Sequence, residues 1–159
     1  RAQVTQPDLV LADEPIAMAD VSVRAQLLDL MNHLKDEFNL TFLFITHDLA
    51  TAKYICDRIG IMYLGRLVEV GDLEGVFNKP LHPYTQALLA AVPVPNPHER
   101  RTQPMPAGEI PDAIHPPSGC RFHPRCPIAR AGHCDVEEPQ LRELRPNHLV
   151  ACHYAEDFL

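Results

Sequence analysis

Proline is confined almost entirely to one half of this chain. Of 16 prolines in 159 residues, only Pro7 and Pro15 precede residue 80, and the other 14 lie from Pro80 onward. Proline lacks a backbone donor and fixes φ, so the second half cannot be built mainly from long helices and central strands. Cysteine divides in the same way. Cys56 stands alone in the first half, while Cys120, Cys126, Cys134 and Cys152 all lie in the second. Two regions follow from this: residues 1–79 with regular α/β structure, and residues 80–159 as a helix followed by a loop-rich module. There is no internal repeat and no low-complexity tract.

The first region alternates strand and helix signals. Leu9-Val10-Leu11-Ala12 is a short apolar run suited to a buried parallel strand. Val23, Leu27, Leu30, Met31, Leu34 and Phe38 recur every three or four positions and predict a helix over 21–38. Asp20 or Ser22 caps its start and Asn39 ends it. Thr41-Phe42-Leu43-Phe44-Ile45-Thr46 is β-branched and aromatic, a second buried strand. A short helix from about Leu49 to Cys56 follows. Ile59 to Leu64 and Leu67 to Val70 then flank Gly65-Arg66, a two-residue hairpin signal. Strand, crossover helix and parallel strand make a βαβ unit, which requires a sheet larger than two or three strands. The remaining strands are expected upstream of Arg1, and a chain opening on Arg1 rather than Met is expected to be a fragment.

Composition removes several classes. Hydrophobic residues make up 46% and charged residues 22%, which excludes wholesale disorder and a coiled coil. No apolar run reaches the roughly 18 residues a membrane span needs, and no signal peptide opens the chain. A net charge of −7 argues against a general nucleic-acid binder. Arg100, Arg101, Arg121, Arg125 and Arg130 nevertheless fall within one stretch, read as a solvated patch, as partners of internal carboxylates, or as a face for a membrane or a second subunit.

Acids stand where the first strand ends. Asp13 and Glu14 directly follow the apolar run, and ligands of open α/β sheets sit at the carboxyl ends of strands. A carboxylate there suits Mg²⁺ held through its water shell. Its neighbour can orient or deprotonate an attacking water. The next strand ends in Thr46-His47-Asp48, putting an imidazole on the same rim.

These segments resemble a known family. Leu9-Val10-Leu11-Ala12-Asp13-Glu14-Pro15 is similar to the Walker B segment of ABC transporter ATPases. Asp20 matches the aspartate of their D-loop, Phe44-Ile45-Thr46-His47-Asp48 their switch histidine segment, and Ile61 to Glu69 the hairpin that follows. His82-Pro83-Tyr84-Thr85-Gln86-Ala87-Leu88-Leu89 resembles the signature of the dipeptide/oligopeptide (and nickel) importer subfamily. The stretch Gly119 to Pro127, with Cys134 and Val150-Ala151-Cys152-His153, resembles that subfamily's C-terminal extension. The resemblance implies a partial P-loop NTPase core over 1–79 and a Pro/Cys-rich extension over 80–159. It implies that Asp13 organises Mg²⁺, Glu14 is the catalytic base, His47 contacts the γ-phosphate of ATP, and Asp20 lies at the contact with a second ATPase subunit. It also implies membrane permease partners, an extracytoplasmic substrate-binding protein acting indirectly, and a place on the cytoplasmic face of the membrane. Two departures stand out. Ile16-Ala17-Met18-Ala19-Asp20 replaces the usual Thr-Ser-Ala-Leu-Asp, and the chain has no G-x-x-x-x-G-K-[ST] phosphate loop and no Ser-Gly-Gly-Gln-type signature. These 159 residues alone are therefore expected neither to bind ATP tightly nor to hydrolyse it.

The four cysteines of the second half have the spacing C-x5-C-x7-C-x17-C. So loop-rich a module needs a staple. Disulfides suit an oxidising compartment. Zinc accepts four cysteines, usually from tight C-x₂₋₄-C knuckles, which are absent. An iron–sulfur cluster takes four thiolates at wider spacing. The resemblance favours a [4Fe–4S] cluster on Cys120, Cys126, Cys134 and Cys152, with zinc the alternative. His123, His133 and His153 are candidate substitute ligands, although exposed or capping roles are the commoner fate of such histidines. Cys56 reads as a buried thiol, His33 as lying on the solvated face of its helix, and Pro93 to Pro97 as a stiff linker.

Overall fold

The computed structural model describes residues 7–92, 106 and 108–159. It is a mixed α/β structure with one parallel and one antiparallel sheet, and it divides into two compact units, Arg1–Cys56 and Asp57–Leu159. The predicted linker at 93–97, and Arg100 and Arg101, lie outside the described residues.

The first unit is a βαβ unit with a short helix after it. Strand β1 (Leu9–Asp13) pairs in parallel with β2 (Thr41–Ile45), from Leu9 opposite Thr41 to Asp13 opposite Ile45. Helix α1 (Val21–Phe38) makes the crossover. Its start is held by the Asp20 carbonyl, which accepts from the Val23 and Arg24 N–H groups, rather than by a side-chain cap. It stops where Asn39 turns left-handed, at φ 50°, a conformation asparagine tolerates better than most residues. Helix α2 (Leu49–Ile55) starts at Asp48, whose carboxylate accepts from the Ala50 N–H at 2.9 Å and the Thr51 hydroxyl at 2.7 Å. Leu28, Leu40 and Ala52 are among the residues buried in this unit.

The expectation that both strands are buried needs correcting for one face. Leu9, Leu11, Leu43 and Ile45 are between 45% and 62% exposed. Alternation puts them together on one side of the ribbon. Val10, Phe42 and Phe44 on the other side are half-buried, and Ala12 is buried. Two strands with helices from a single crossover cover only one face.

The second unit is built on a four-stranded antiparallel sheet in the order β3-β4-β6-β5. Strands β3 (Arg58–Tyr63) and β4 (Arg66–Asp72) form the predicted hairpin with its turn shifted by one residue. The turn residues are Leu64 and Gly65, with φ of 44° and 78°, and Arg66 already pairs with Tyr63. Two successive positive φ values are what a tight hairpin requires, and the strand twist imposes this even on a leucine. Helix α3 (Leu73–Asn78) and helix α4 (Pro83–Ala91) follow. Pro83 takes the first turn of α4, where its missing donor costs nothing, and the His82 side chain caps it.

The Pro-rich half then returns to the hairpin. Strand β6 (His148–Val150) pairs with β4 at Glu69 and Val70 on one side and with β5 (Arg142–Arg145) on the other. The change of composition at residue 80 therefore falls inside this unit. Leu81, Val150, Cys152 and Ala155 form its core, with Ile128, Leu144, Tyr154 and Phe158 packed around them. A second apolar group joins Tyr63, Tyr84 and Phe122, with ring centroids 4.7–5.4 Å apart.

Candidate functional site

In the first unit, the parallel register brings two of the predicted residues together. Asp13 ends β1 opposite Ile45, and the Glu14 N–H donates to the Ile45 carbonyl at 3.0 Å, carrying the ladder one residue further. Glu14 does so at φ 44°, in the left-handed region. Such a conformation costs on the order of 1–3 kcal/mol for a residue with a side chain and is concentrated at functional sites. It turns the Glu14 carboxylate toward the end of β2, where Oε1 lies 2.8 Å from His47 Nδ1. Both side chains are well exposed, 41% for Glu14 and 77% for His47. Asp13 is exposed at the same strand end. Asp20 lies at the start of α1, exposed and outside the cleft that Glu14 and His47 line.

That cleft, of about 40 Å³, is also lined by Ile16, Arg24, Asp48 and Thr51. The Thr51 hydroxyl, ahead of the Ala50 and Thr51 N–H groups and the Arg24 charge, holds the Asp48 carboxyl below its ordinary range against the opposing effect of burial. Arg24 was not singled out from sequence. Its Nε donates to the Ala19 carbonyl at 3.0 Å, tying α1 to the segment before Asp20. The available signal was its position four residues beyond Asp20, in the first turn of α1. Chemically, Glu14 and His47 offer a carboxylate and an imidazole to one small polar ligand, and His47 Nε2 is left for a further contact.

In the second unit, Cys120, Cys126, Cys134 and Cys152 line one cavity, together with His82 and Phe122. Loop geometry assembles them. The Cys120 N–H donates to the Cys134 carbonyl at 2.8 Å, and the single turn His123–Arg125 folds Cys126 back beneath Cys120. Cys152 arrives just after β6. A Cβ on Gly119 would stand 2.5 Å from the Cys134 carbonyl oxygen, and its φ is 63°. Only glycine lets these two stretches meet. All four thiols are free. Burial pushes Cys126 up to about 11 and Cys152 up to about 12, with the neighbouring thiols adding to it, and burial raises Cys120 as well. A metal must displace these protons, so its binding strengthens as pH rises. Among the described residues, no three His, Cys, Asp or Glu side chains are arranged to hold a single ion.

The histidines nearby are engaged elsewhere. His123 Nδ1 meets the Cys120 carbonyl at 2.9 Å, His133 Nδ1 meets the Tyr154 hydroxyl at 2.7 Å, and His153 Nε2 donates to the Glu137 carbonyl at 2.9 Å. Two of the arginines also have internal partners. Arg121 donates to the Leu64 carbonyl, and Arg130 covers the Tyr154 ring 3.9 Å from its centroid and lies 3.7 Å from Asp157. Sequence reading did not find His82 as a wall of the thiol cavity, because it sits 38 residues before Cys120, the nearest of the four cysteines that line it.

Residues 68–134 match the family described as "Oligopeptide/dipeptide transporter, C-terminal region". Over 152 residues the chain is 47% identical to the "Putative peptide import ATP-binding protein" of Brucella ovis, covering 96% of this chain and 48% of that protein. Over 155 residues it is 46% identical to the oligopeptide transport ATP-binding protein AppF of Bacillus subtilis, covering 96% and 47%. The chain is thus similar to ATP-binding proteins of peptide transport over nearly all of its length. It spans about half the length of the curated relatives it matches. The cysteines from Cys120 to Cys134 fall inside the matched residues, whereas Cys152 lies beyond them. Among the described residues, no helix is long and apolar enough to cross a membrane.

Proposed function

We propose that this chain is the C-terminal part of an ATP-hydrolysing subunit of an ABC importer for peptides, with 1–79 completing the ATPase domain and 80–159 forming its extension. The observation that carries the reading is the 2.8 Å contact between Glu14 and His47 at the ends of two parallel strands in register. ATP with Mg²⁺ supplies the scissile γ-phosphate and the charge that neutralises it. Asp13 would hold the ion. Glu14 takes a proton from the attacking water, and His47 fixes the Glu14 carboxylate and contacts the γ-phosphate. Asp20 lies at the contact with a second ATPase subunit, and Arg24 braces the segment leading to it through Ala19. Membrane permeases and an extracytoplasmic binding protein complete the assembly, which places the subunit on the cytoplasmic face of the membrane.

The deciding experiment measures ATP turnover and ATP binding by the full-length protein. Glu14→Gln should lower turnover by two orders of magnitude or more while nucleotide binding persists. Turnover at the wild-type rate would remove Glu14 from the role of base.

The four cysteines are proposed to hold a [4Fe–4S] cluster. The donor set fits, because four thiolates are what such a cluster takes. The space between them, about 10 Å³, holds about one water. Loading would therefore require the cysteine loops to move apart, against the backbone bond from Cys120 to Cys134. Absorption near 400 nm after anaerobic purification, with iron counted, tests this; one zinc and no iron would rule it out.

A further inference from the structure

The His47 side chain is 77% exposed, so packing does little to set its direction. Among the described residues, the one polar contact of its ring is with Glu14, 2.8 Å from Nδ1. What aims the ring is therefore the backbone that carries it. β2 ends at Ile45 and α2 begins at Leu49, which leaves Thr46, His47 and Asp48 as the joint between them. The Asp48 carboxylate is committed to the helix, where it accepts from the Ala50 N–H and the Thr51 hydroxyl. In a capping box, the side chain three residues beyond the N-cap accepts from the N-cap N–H. Thr51 holds that place here and donates to the carboxylate instead, so the Asp48 N–H needs another acceptor. It has the Thr46 hydroxyl oxygen, at 3.0 Å. This bond runs from residue 48 back to residue 46, a turn that a threonine side chain can close, and the residue enclosed is His47. Thr46 is half-buried and lines the same cleft as Glu14 and His47.

We propose that Thr46 is a positioning residue for His47: its hydroxyl closes the turn that holds the imidazole at hydrogen-bonding distance from Glu14. This rests on the hydrolytic reading above, in which Glu14 takes the proton of the attacking water and His47 fixes the Glu14 carboxylate. Thr46 acts through His47 rather than on the water or the nucleotide. It keeps an exposed ring from swinging on a solvated joint. Such restraint matters because a reacting group misplaced by about 1 Å can lose on the order of a hundredfold in rate.

Two substitutions isolate the hydroxyl. Thr46→Val keeps the shape and the branching and removes the acceptor, whereas Thr46→Ser keeps the acceptor. They are compared in the full-length protein with ATP and Mg²⁺, under single turnover so that slow variants stay readable. Thr46→Val should lower the rate about tenfold with ATP affinity within about twofold of wild type, and Thr46→Ser should keep most of the rate. The deciding comparison adds His47→Ala. With the ring gone there is nothing left to aim, so in that background Thr46→Val should cost no more than about twofold. A tenfold loss in both backgrounds overturns the proposal, since the hydroxyl would then serve the fold or another group. A wild-type rate in Thr46→Val overturns it too, as does a Thr46→Ser variant as slow as Thr46→Val. A measurement on the wild type covers a variant that fails to fold: the Asp48 amide should exchange with deuterium about tenfold or more slower than a free amide. Exchange at the free rate overturns the proposal. If His47→Ala turns over ATP at the wild-type rate, the hydrolytic reading loses His47 and this inference goes with it. If His47→Ala is slow and Thr46→Val is not, only this inference falls.

Discussion

His148 Nε2 lies 2.7 Å from Glu69 Oε1, with 5% and 0% of the two side chains exposed. The same carboxylate accepts from the Leu81 N–H at 2.7 Å and the His82 N–H at 3.0 Å. One side chain thereby joins β4, β6 and the segment that starts α4. Removing it would strand three buried donors. Glu69→Ala should cost about 3–5 kcal/mol, read as a drop in the urea midpoint of the chain. A loss under about 1 kcal/mol would mean that water replaces the carboxylate at no great cost.

Gly119→Ala should disrupt the cysteine module more than its single methyl suggests. The added Cβ meets backbone at Cys134, Asp135 and Val136, at 2.5–2.9 Å, and no rotamer can relieve that. The expected loss exceeds the roughly 1 kcal/mol typical of left-handed glycines, with faster proteolysis between 119 and 134. Gly132→Ala is the control. It shares the positive φ, but nothing lies within 4 Å of its Cβ, so it should cost only about 1 kcal/mol.

Tyr63→Phe should run against the usual direction of core substitutions. The Tyr63 hydroxyl is buried without a partner among the described residues, while its ring packs on Tyr84 and Phe122. Phenylalanine keeps the ring and drops the unsatisfied oxygen. Stability should hold or rise by up to about 1 kcal/mol in urea unfolding.

Asp48 gives the first unit a defined acid response. Its carboxyl is held below 3.8 chiefly by the Thr51 hydroxyl. A depressed folded value means that the contribution is complete above the unfolded value and disappears as pH falls through the folded one. The carboxyl resonance of Asp48 should therefore titrate below 3.8, and Thr51→Val should move it upward. Asp48→Ala should cost about 1 kcal/mol near neutral pH through the lost cap. The difference from wild type should shrink only below about pH 4.

Local patterns proved readable where physics is local. The 3.6-residue rhythm and the asparagine stop placed α1 at 21–38, and Pro83 marked the start of α4. The contact of Glu14 with His47 was also approachable, because parallel strands joined by one helix put their ends side by side. The hairpin turn was misplaced by one residue, since no sequence signal marks Leu64 for a left-handed conformation. Long-range features were out of reach. His148-Leu149-Val150 is too short to announce a strand, and its pairing with residues about eighty positions earlier is decided by the sheet. Glu69 looks like an ordinary surface charge on an alternating strand until β6 and the α4 start close over it. The exposed face of Leu9, Leu11, Leu43 and Ile45 follows from how many strands are present, which four apolar residues in a row cannot tell.

Because β6 adds directly to β4, the hairpin at 58–72 remains a two-stranded ribbon until residue 150 has been synthesised. Isolated ribbons of that kind are marginal in water, and closing so long a loop is entropically slow. During translation the second unit should therefore stay open almost to its last residues, with Glu69 meeting solvent and the cysteines apart. Ribosome-bound chains halted before His148 should remain open to protease in this region, while the released chain closes.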